Sequence, residues 1–350
     1  MDPASLVPPL VTIPAPWGIF EALLLVTFTA HLLFMNVVLG GSIIALVTGG
    51  RYNTPAPALA RTLPTTLALT VNLGVPPLLF LSVLFGGYLY VASVLSAVFW
   101  LTLVALAMAA YYLLYIYSYG IKTGMAPSQA ITLAALLLLG VSFIMSNIMS
   151  LLQRPETWTA YLDTPGGTIL NLGDPTFFPR WLHFVTASLA VGGLYVALTN
   201  ARAATLGNKP AMAKKAMGLA WFTRATMVQI ALGIWFLLAL PTDIMLLFMG
   251  KSGLHTAVFL AGLAAVAAAL IFGLRGQLGR TTIALVLTVA LMVGMRDLVR
   301  AAYLGPYFHP EKLPVVPQYG PLAVFLISLA AVAGITWYMV SLYARSNGRA

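Results

Sequence analysis

Residues 62–121, TLPTTLALTVNLGVPPLLFLSVLFGGYLYVASVLSAVFWLTLVALAMAAYYLLYIYSYGI, run for 60 positions between Arg61 and Lys122 without a charged side chain. A helix needs only about 20 apolar residues to cross a bilayer. At 1.5 Å per residue a single helix through this stretch would be roughly 90 Å long, about three times the hydrocarbon thickness, so the chain must turn back within it. The neighbouring sequence is of the same kind: 29 uncharged positions separate Glu21 from Arg51, and 31 separate Lys122 from Arg154. Across the 350 residues 61% are hydrophobic and 7% charged, whereas soluble domains carry roughly 25% charged residues. A soluble globular enzyme is excluded, and a polytopic membrane protein is indicated. No cationic segment followed by a short apolar core and a cleavage site precedes the first span, so Trp17 onward reads as mature protein.

Nine apolar segments can be drawn, near 18–48, 66–90, 94–118, 128–152, 179–203, 216–240, 254–274, 281–298 and 321–344. Each is almost continuously apolar instead of alternating, which selects helices over barrel strands and predicts an all-α fold. Pro76 and Pro77 are expected to kink the second span. The chain reads as one membrane domain, with an N-terminal segment 1–17, a five-helix part 18–205 and a four-helix part 206–350. Basic residues number 18 and acidic residues 8, for a net charge of +10. Such an excess could signal nucleic-acid binding, but its distribution follows membrane topology. With the N-terminus outside, the inner side receives Arg51, Arg61, Lys122, Arg202, Lys209, Lys214, Lys215, Arg275, Arg280, Arg345 and Arg349 and no acid. The outer side receives Arg154, Arg180, Lys251, Arg296, Arg300 and Lys312, together with Asp2, Glu21, Glu156, Asp163, Asp174, Asp243, Asp297 and Glu311; Arg224 lies within the sixth span. The positive-inside rule therefore expects the N-terminus outside and the C-terminus inside. Nucleic acid is set aside, and lipid is the surrounding partner. The longer connections, 153–178, 241–253 and 299–320, then lie outside, where recognition of a partner is expected.

With no cysteine in the chain, thiolate metal sites, iron–sulfur ligation and covalently attached c-type haem are all excluded. A redox cofactor would have to be held by His, Met or carboxylate. Three of the four histidines fall in or at predicted spans, where ionisable groups are functional candidates by default. His183 and His255 are each placed about one turn into an inward-running span, at similar depth. Two imidazoles so placed could clamp one haem iron, with Arg180, Arg296 or Arg300 neutralising its propionates. Small residues, Ala187, Ala190, Gly192, Gly193, Ala257 and Gly262, would let a flat macrocycle approach. The plainer alternative is a pair of interfacial histidines bonded to loop carbonyls. His31 lies deeper, ten residues after Glu21, and needs a metal or a hydrogen-bond partner such as Asn147. His309 is expected in an outer loop, structural or facing a partner. Arg296 and Arg300 share one side of a helix and could face one propionate or lipid headgroup. Asp297 could orient an arginine or take a proton, or form an interfacial Arg–Asp anchor; Glu21 and Asp243 are further candidates for proton handling. The 14 methionines include Met145, Met149, Met227, Met245, Met249, Met292 and Met295; thioether is a recognised axial haem ligand, but most are expected to pack.

Four features together resemble subunit I of the cytochrome bd family of quinol oxidases: nine spans with an outer N-terminus, Phe28-Thr-Ala-His31-Leu-Leu-Phe34, Asn147-Ile-Met-Ser-Leu-Leu-Gln153-Arg-Pro155, and Asp174-Pro leading to His183. The resemblance spans about residues 18–205. It implies that His31 ligates an active-site haem and that His183 binds a low-spin haem b receiving electrons from quinol. There are also departures from the family pattern. The family's seventh-span methionine ligand gives way to His255, its second-span glutamates are absent, and its eighth-span glutamate falls near Ala290 to Met292. Its Gly-Arg-Gln-Pro motif is replaced by Asp297-Leu-Val-Arg300, and its long quinol loop is reduced to about a dozen residues. The acids that serve oxygen chemistry in the family are therefore missing. The expectation is a bd-like cytochrome b subunit of a bacterial inner-membrane respiratory complex, carrying one haem b and a second at His31. It would pass electrons between quinol and a periplasmic c-type cytochrome, multihaem, or other redox subunits. The alternatives are an oxygen-reducing quinol or cytochrome c oxidase subunit, and a haem-free anchor or transporter.

Overall fold

The computed structural model describes residues 6–49, 54–125 and 127–347, with side chains as far as Leu342. Asp2, Arg51 and Arg349 lie outside the described residues, as does the side chain of Arg345. Nine helices long and apolar enough to span a membrane are present among them. We number them α1 (Trp17–Thr48), α2 (Ala56–Leu95), α3 (Ala97–Lys122), α4 (Ser128–Gln153), α5 (Phe177–Thr199), α6 (Lys209–Ala239), α7 (Gly253–Leu274), α8 (Leu278–Leu304) and α9 (Tyr319–Asn347). The described residues contain no strand, only an isolated bridge between Ile13 and Val315. An apolar solvent offers the backbone no hydrogen bonds, so each segment satisfies its own as a helix.

Local chemistry sets several boundaries. The Asn208 side chain accepts from Ala211 N at 3.0 Å and Pro210 opens the helix, so α6 begins seven residues earlier than hydropathy alone suggests. α2 also begins early and runs for 40 residues, about 60 Å at helical rise. It does not leave helical angles at Pro76 or Pro77, as expected, but at Phe85 (φ −126°, ψ 28°). Prolines are tolerated inside membrane helices where neighbours re-satisfy the backbone. The break instead falls beside Gly86 and Gly87, a pair with little helical preference. A Cβ on Gly87 would lie 2.6 Å from the Pro8 ring, so the N-terminal segment seats directly on this turn.

α1 packs along α2 and α5, α5 along α6, α3 on α4, and α7 on α8. The five-helix and four-helix parts are thus joined lengthwise through α5 and α6. Between lipid-facing helices burial supplies little driving force, and close packing of small residues replaces it. Gly40 of α1 lies directly on the Ser188 backbone of α5, and a Cβ at Gly192 would stand 2.8 Å from the Gly40 carbonyl carbon. A Cβ at Gly193 would stand 2.7 Å from Phe222 N of α6. These two glycines, expected to leave room for a macrocycle, are used for helix contact instead. One apolar core, around Leu84, Ile148, Leu151 and Leu304, fills the end of the bundle where the longer loops gather. A second, around Ile44, Leu59, Leu63 and Leu114, fills the short-loop end.

Candidate functional site: buried imidazoles and an arginine cluster

His31 lies near the middle of α1. Its Nδ1 is 3.0 Å from the Thr70 carbonyl oxygen of α2. A carbonyl only accepts, so Nδ1 carries the proton and donates, leaving the Nε2 lone pair free. No described group hydrogen-bonds to Nε2. This tautomer, held by a backbone carbonyl, is the arrangement in which imidazole binds a metal. The ring fits because α2 is bare opposite it: a Cβ on Gly74 would lie 2.9 Å from His31 Cε1. Phe28 stacks on the imidazole with centroids 6.2 Å apart, and the Arg296 guanidinium sits 4.6 Å from the Phe28 centroid. Asn147 is not the partner of His31. It donates to Ser96 Oγ (3.1 Å) and Ile169 O (3.3 Å) and accepts from Asn171 N (2.6 Å), pinning the 163–176 loop onto α3 and α4.

His183 lies nearly two turns into α5. The Gln229 amide nitrogen of α6 is 3.2 Å from His183 Nε2 and 3.8 Å from Met292 Sδ of α8. The His183 Nδ1 atom is buried without a hydrogen-bond partner. His255 falls in the first turn of α7, where Nδ1 meets Ser252 Oγ at 2.8 Å and the ring packs edge-on against Phe248 at 5.1 Å. α7 packs on α6 and α8, and among the described residues no hydrogen bond or ring contact joins its imidazole to that of α5. The structure therefore brings His183 to Gln229 and Met292, and leaves His255 among its own neighbours.

The charged residues gather where α4, α5 and α8 meet the longer loops. Asp174 is the hub: it accepts from Ser150 Oγ (2.9 Å), Thr176 N (2.9 Å) and Thr176 Oγ1 (2.8 Å), and pairs with Arg154 (2.9 Å) and Arg180 (3.5 Å). Burial alone would raise its pKa. The Thr176 bonds and the two guanidinium groups outweigh that and hold the carboxyl below its ordinary value. Burial likewise opposes the Arg154 charge, but Tyr303, Asp174 and Glu156 prevail and raise its pKa. Arg154 also lies 4.6 Å over the Tyr303 ring. Arg300 is ion-paired with Asp297, sits 4.3 Å over Phe85, and is within electrostatic reach of Glu21 and Arg296. Arg296 differs from the other three: Arg180 and Arg300 are near, yet no carboxylate pairs with it among the described residues. A half-buried cation facing a phenyl ring without an anion is suited to receive one.

His309 is exposed in the loop after α8, beside a cavity of about 290 Å³ lined also by Pro8, Tyr307, Phe308 and Lys312. Asp243 opens a short helix (Thr242–Leu246) beyond α6. Among the described residues no group of three or more His, Asp or Glu forms a metal cage. Haem asks for less, one or two neutral imidazoles and cations for its propionates, and His31, His183 and the arginines meet that requirement. Thr70, Gly74 and Gln229 were not identified from sequence, and Phe28 entered only as the first residue of the His31 motif. Gln229 alone left a signal there, as an amide inside an apolar span.

No family model matches the chain, and no curated protein matches it. The structure defines a polytopic α-helical membrane protein with imidazole and guanidinium groups inside the bundle.

Proposed function

We propose that this chain is a haem b-binding membrane subunit of a bacterial respiratory complex, passing electrons between quinol and a c-type haem partner on the periplasmic face. The observation that carries the reading is His31, whose Nδ1–H is committed to the Thr70 carbonyl while Nε2 has no described partner. With the N-terminus outside, the arginine cluster lies toward the periplasm, where Arg296, Arg300 and Arg180 would hold propionates. His31 and His183 would hold iron, which when bound stores one electron at a time. Of the three acids considered for proton handling, Asp297 is engaged by Arg300 and Asp243 opens the short helix beyond α6, which leaves Glu21 the freer group beside the arginines. The competing reading is a haem-free anchor, and the Gln229–His183 bond, which satisfies one imidazole nitrogen without iron, favours it.

A reduced-minus-oxidised spectrum of the purified full chain separates them. The proposal expects a b-type α-band that His31→Ala or His183→Ala diminishes and the double variant abolishes. A chain that folds, by circular dichroism and gel filtration, with no such band is the haem-free anchor. Oxygen uptake with a quinol would instead mark an oxidase.

A further inference from the structure

The lipid-facing side of α2 carries a regular pattern. Thr65, Ala68, Asn72, Val75, Leu79 and Ser82 follow one another at alternating steps of three and four residues, the spacing at which two helices interlock side by side. None of the six is buried, and Val75 and Leu79 are 50% and 58% exposed. From Thr65 to Ser82 the seam is about 26 Å long at helical rise, close to the full hydrocarbon thickness. Asn72 lies at its centre. Thr70 and Gly74, on either side of Asn72 in sequence, both lie against the imidazole of His31, the fifteenth of the 32 residues of α1. Asn72 is therefore level with the middle of the bundle, facing outward. A hydroxyl in a membrane helix can return its one donor to the carbonyl four residues back, as Ser82 does to Leu78 O at 2.8 Å. An amide has two N–H donors and an accepting oxygen. Asn72 Nδ2 donates to Ala68 O at 2.8 Å, and no described group pairs with its second N–H or with Oδ1. In hydrocarbon those two groups are costly, and a polar group on a second helix satisfies them.

We propose that this face of α2 binds a second copy of the chain, with Asn72 meeting its counterpart across a two-fold axis along the membrane normal. The amide is its own complement, since each Oδ1 then accepts the free N–H of the other copy. A different protein would have to bring its own polar side chain to the same depth, whereas a second copy has it there already. Copies inserted with one topology can be related by a two-fold axis only if it runs along the normal, so the two α2 helices lie parallel and each seam residue faces itself. A single asparagine in a parallel seam fixes that register. The plainer account is lipid along the whole face. It suits Val75 and Leu79, but leaves the amide in hydrocarbon. The inference stands on α2 alone and does not depend on haem.

The chain has no cysteine, so a single introduced one reports on the contact without background. In the full chain reconstituted in phosphatidylcholine vesicles, Leu79→Cys should form a disulfide-linked dimer on oxidation with copper phenanthroline. Leu101→Cys on α3, at a position 74% exposed, should not. Energy transfer between chains labelled at the N-terminus, followed as the protein is diluted into lipid, measures the association. Asn72→Leu should weaken it by about three- to thirtyfold, the range of an interhelical polar bond in a membrane, while Asn72→Gln, which keeps the amide, should retain most of it. The cysteine variants leave Asn72 in place, so they decide the matter even where Asn72→Leu fails to fold. A chain that stays monomeric at every protein-to-lipid ratio, equal cross-linking through the two cysteines, or a dimer that Asn72→Leu leaves unchanged would overturn the inference.

Discussion

Asp174 does more to shape the loop-rich end of the bundle than any other single side chain. Its two oxygens take hydrogen bonds from the end of α4 and the start of α5 while pairing with Arg154 and Arg180, at a side-chain exposure of 3%. Replacing it by Asn takes the carboxylate from Arg180 and leaves Arg154 with Glu156 alone, which costs up to about 3 kcal/mol where partners cannot relax. Because the folded carboxyl has a depressed pKa, its contribution is complete above the unfolded value, about 3.9, and is lost as pH falls through the lower folded value. The difference in unfolding temperature between the parent chain and Asp174→Asn should accordingly stay constant from pH 7 to about pH 4 and shrink below that. A difference that declined between pH 7 and 5 would show that another group is responsible. The sequence marked Asp174 and Arg180 because they lie in one short run with His183. It could not supply the Thr70 carbonyl for His31 or the Gln229 amide for His183, since both belong to distant parts of the chain. Asn147 looked a fair partner for His31 by polarity alone, but the nearby loop backbone engages it first.

Between helices, close approach is governed by missing side chains. The α1–α5 crossing brings Gly40 and Gly192 backbone to backbone, and even the first carbon of a side chain at Gly192 would stand 2.8 Å from two Gly40–Gly41 atoms. Gly192→Leu should therefore destabilise the bundle by about 1–3 kcal/mol or more, read as a lowered unfolding temperature in detergent. Gly140→Ala, where an added Cβ meets nothing within 4 Å, is the control and should be neutral. Equal melting of the two variants would contradict the packing described. The nine helices themselves were legible because span length and hydropathy are properties of contiguous sequence. The position of the α2 break was not: prolines were the obvious suspects, but the turn formed beside a glycine pair where Gly87 lets Pro8 approach.

At the scale of the whole molecule, eight helices form a mutually packed body and α9 stands beside it. None of the most apolar window of α9 is buried inside the chain, and its described ring contact is Phe325 on Phe80. Removing residues 319–350 should thus leave the unfolding temperature of the remainder within about a few degrees of the parent. Collapse of the eight-helix body on truncation would show that α9 is structurally required. The charge sorting that suggested the topology belongs to this scale too, since no single loop reveals it.

What ties α9 to the body is short. Ile13 N donates to Pro314 O, Val316 N to Ile13 O and Gln318 N to Pro14 O, each at 2.8–2.9 Å. These bonds join the approach to the first helix with the approach to the last, residues some 300 positions apart. During synthesis the first of these segments must wait, its backbone groups served by water, until eight helices have been made and the approach to the ninth has followed them. The clasp consequently cannot close early, and once closed it holds the start of the ninth helix beside the start of the first.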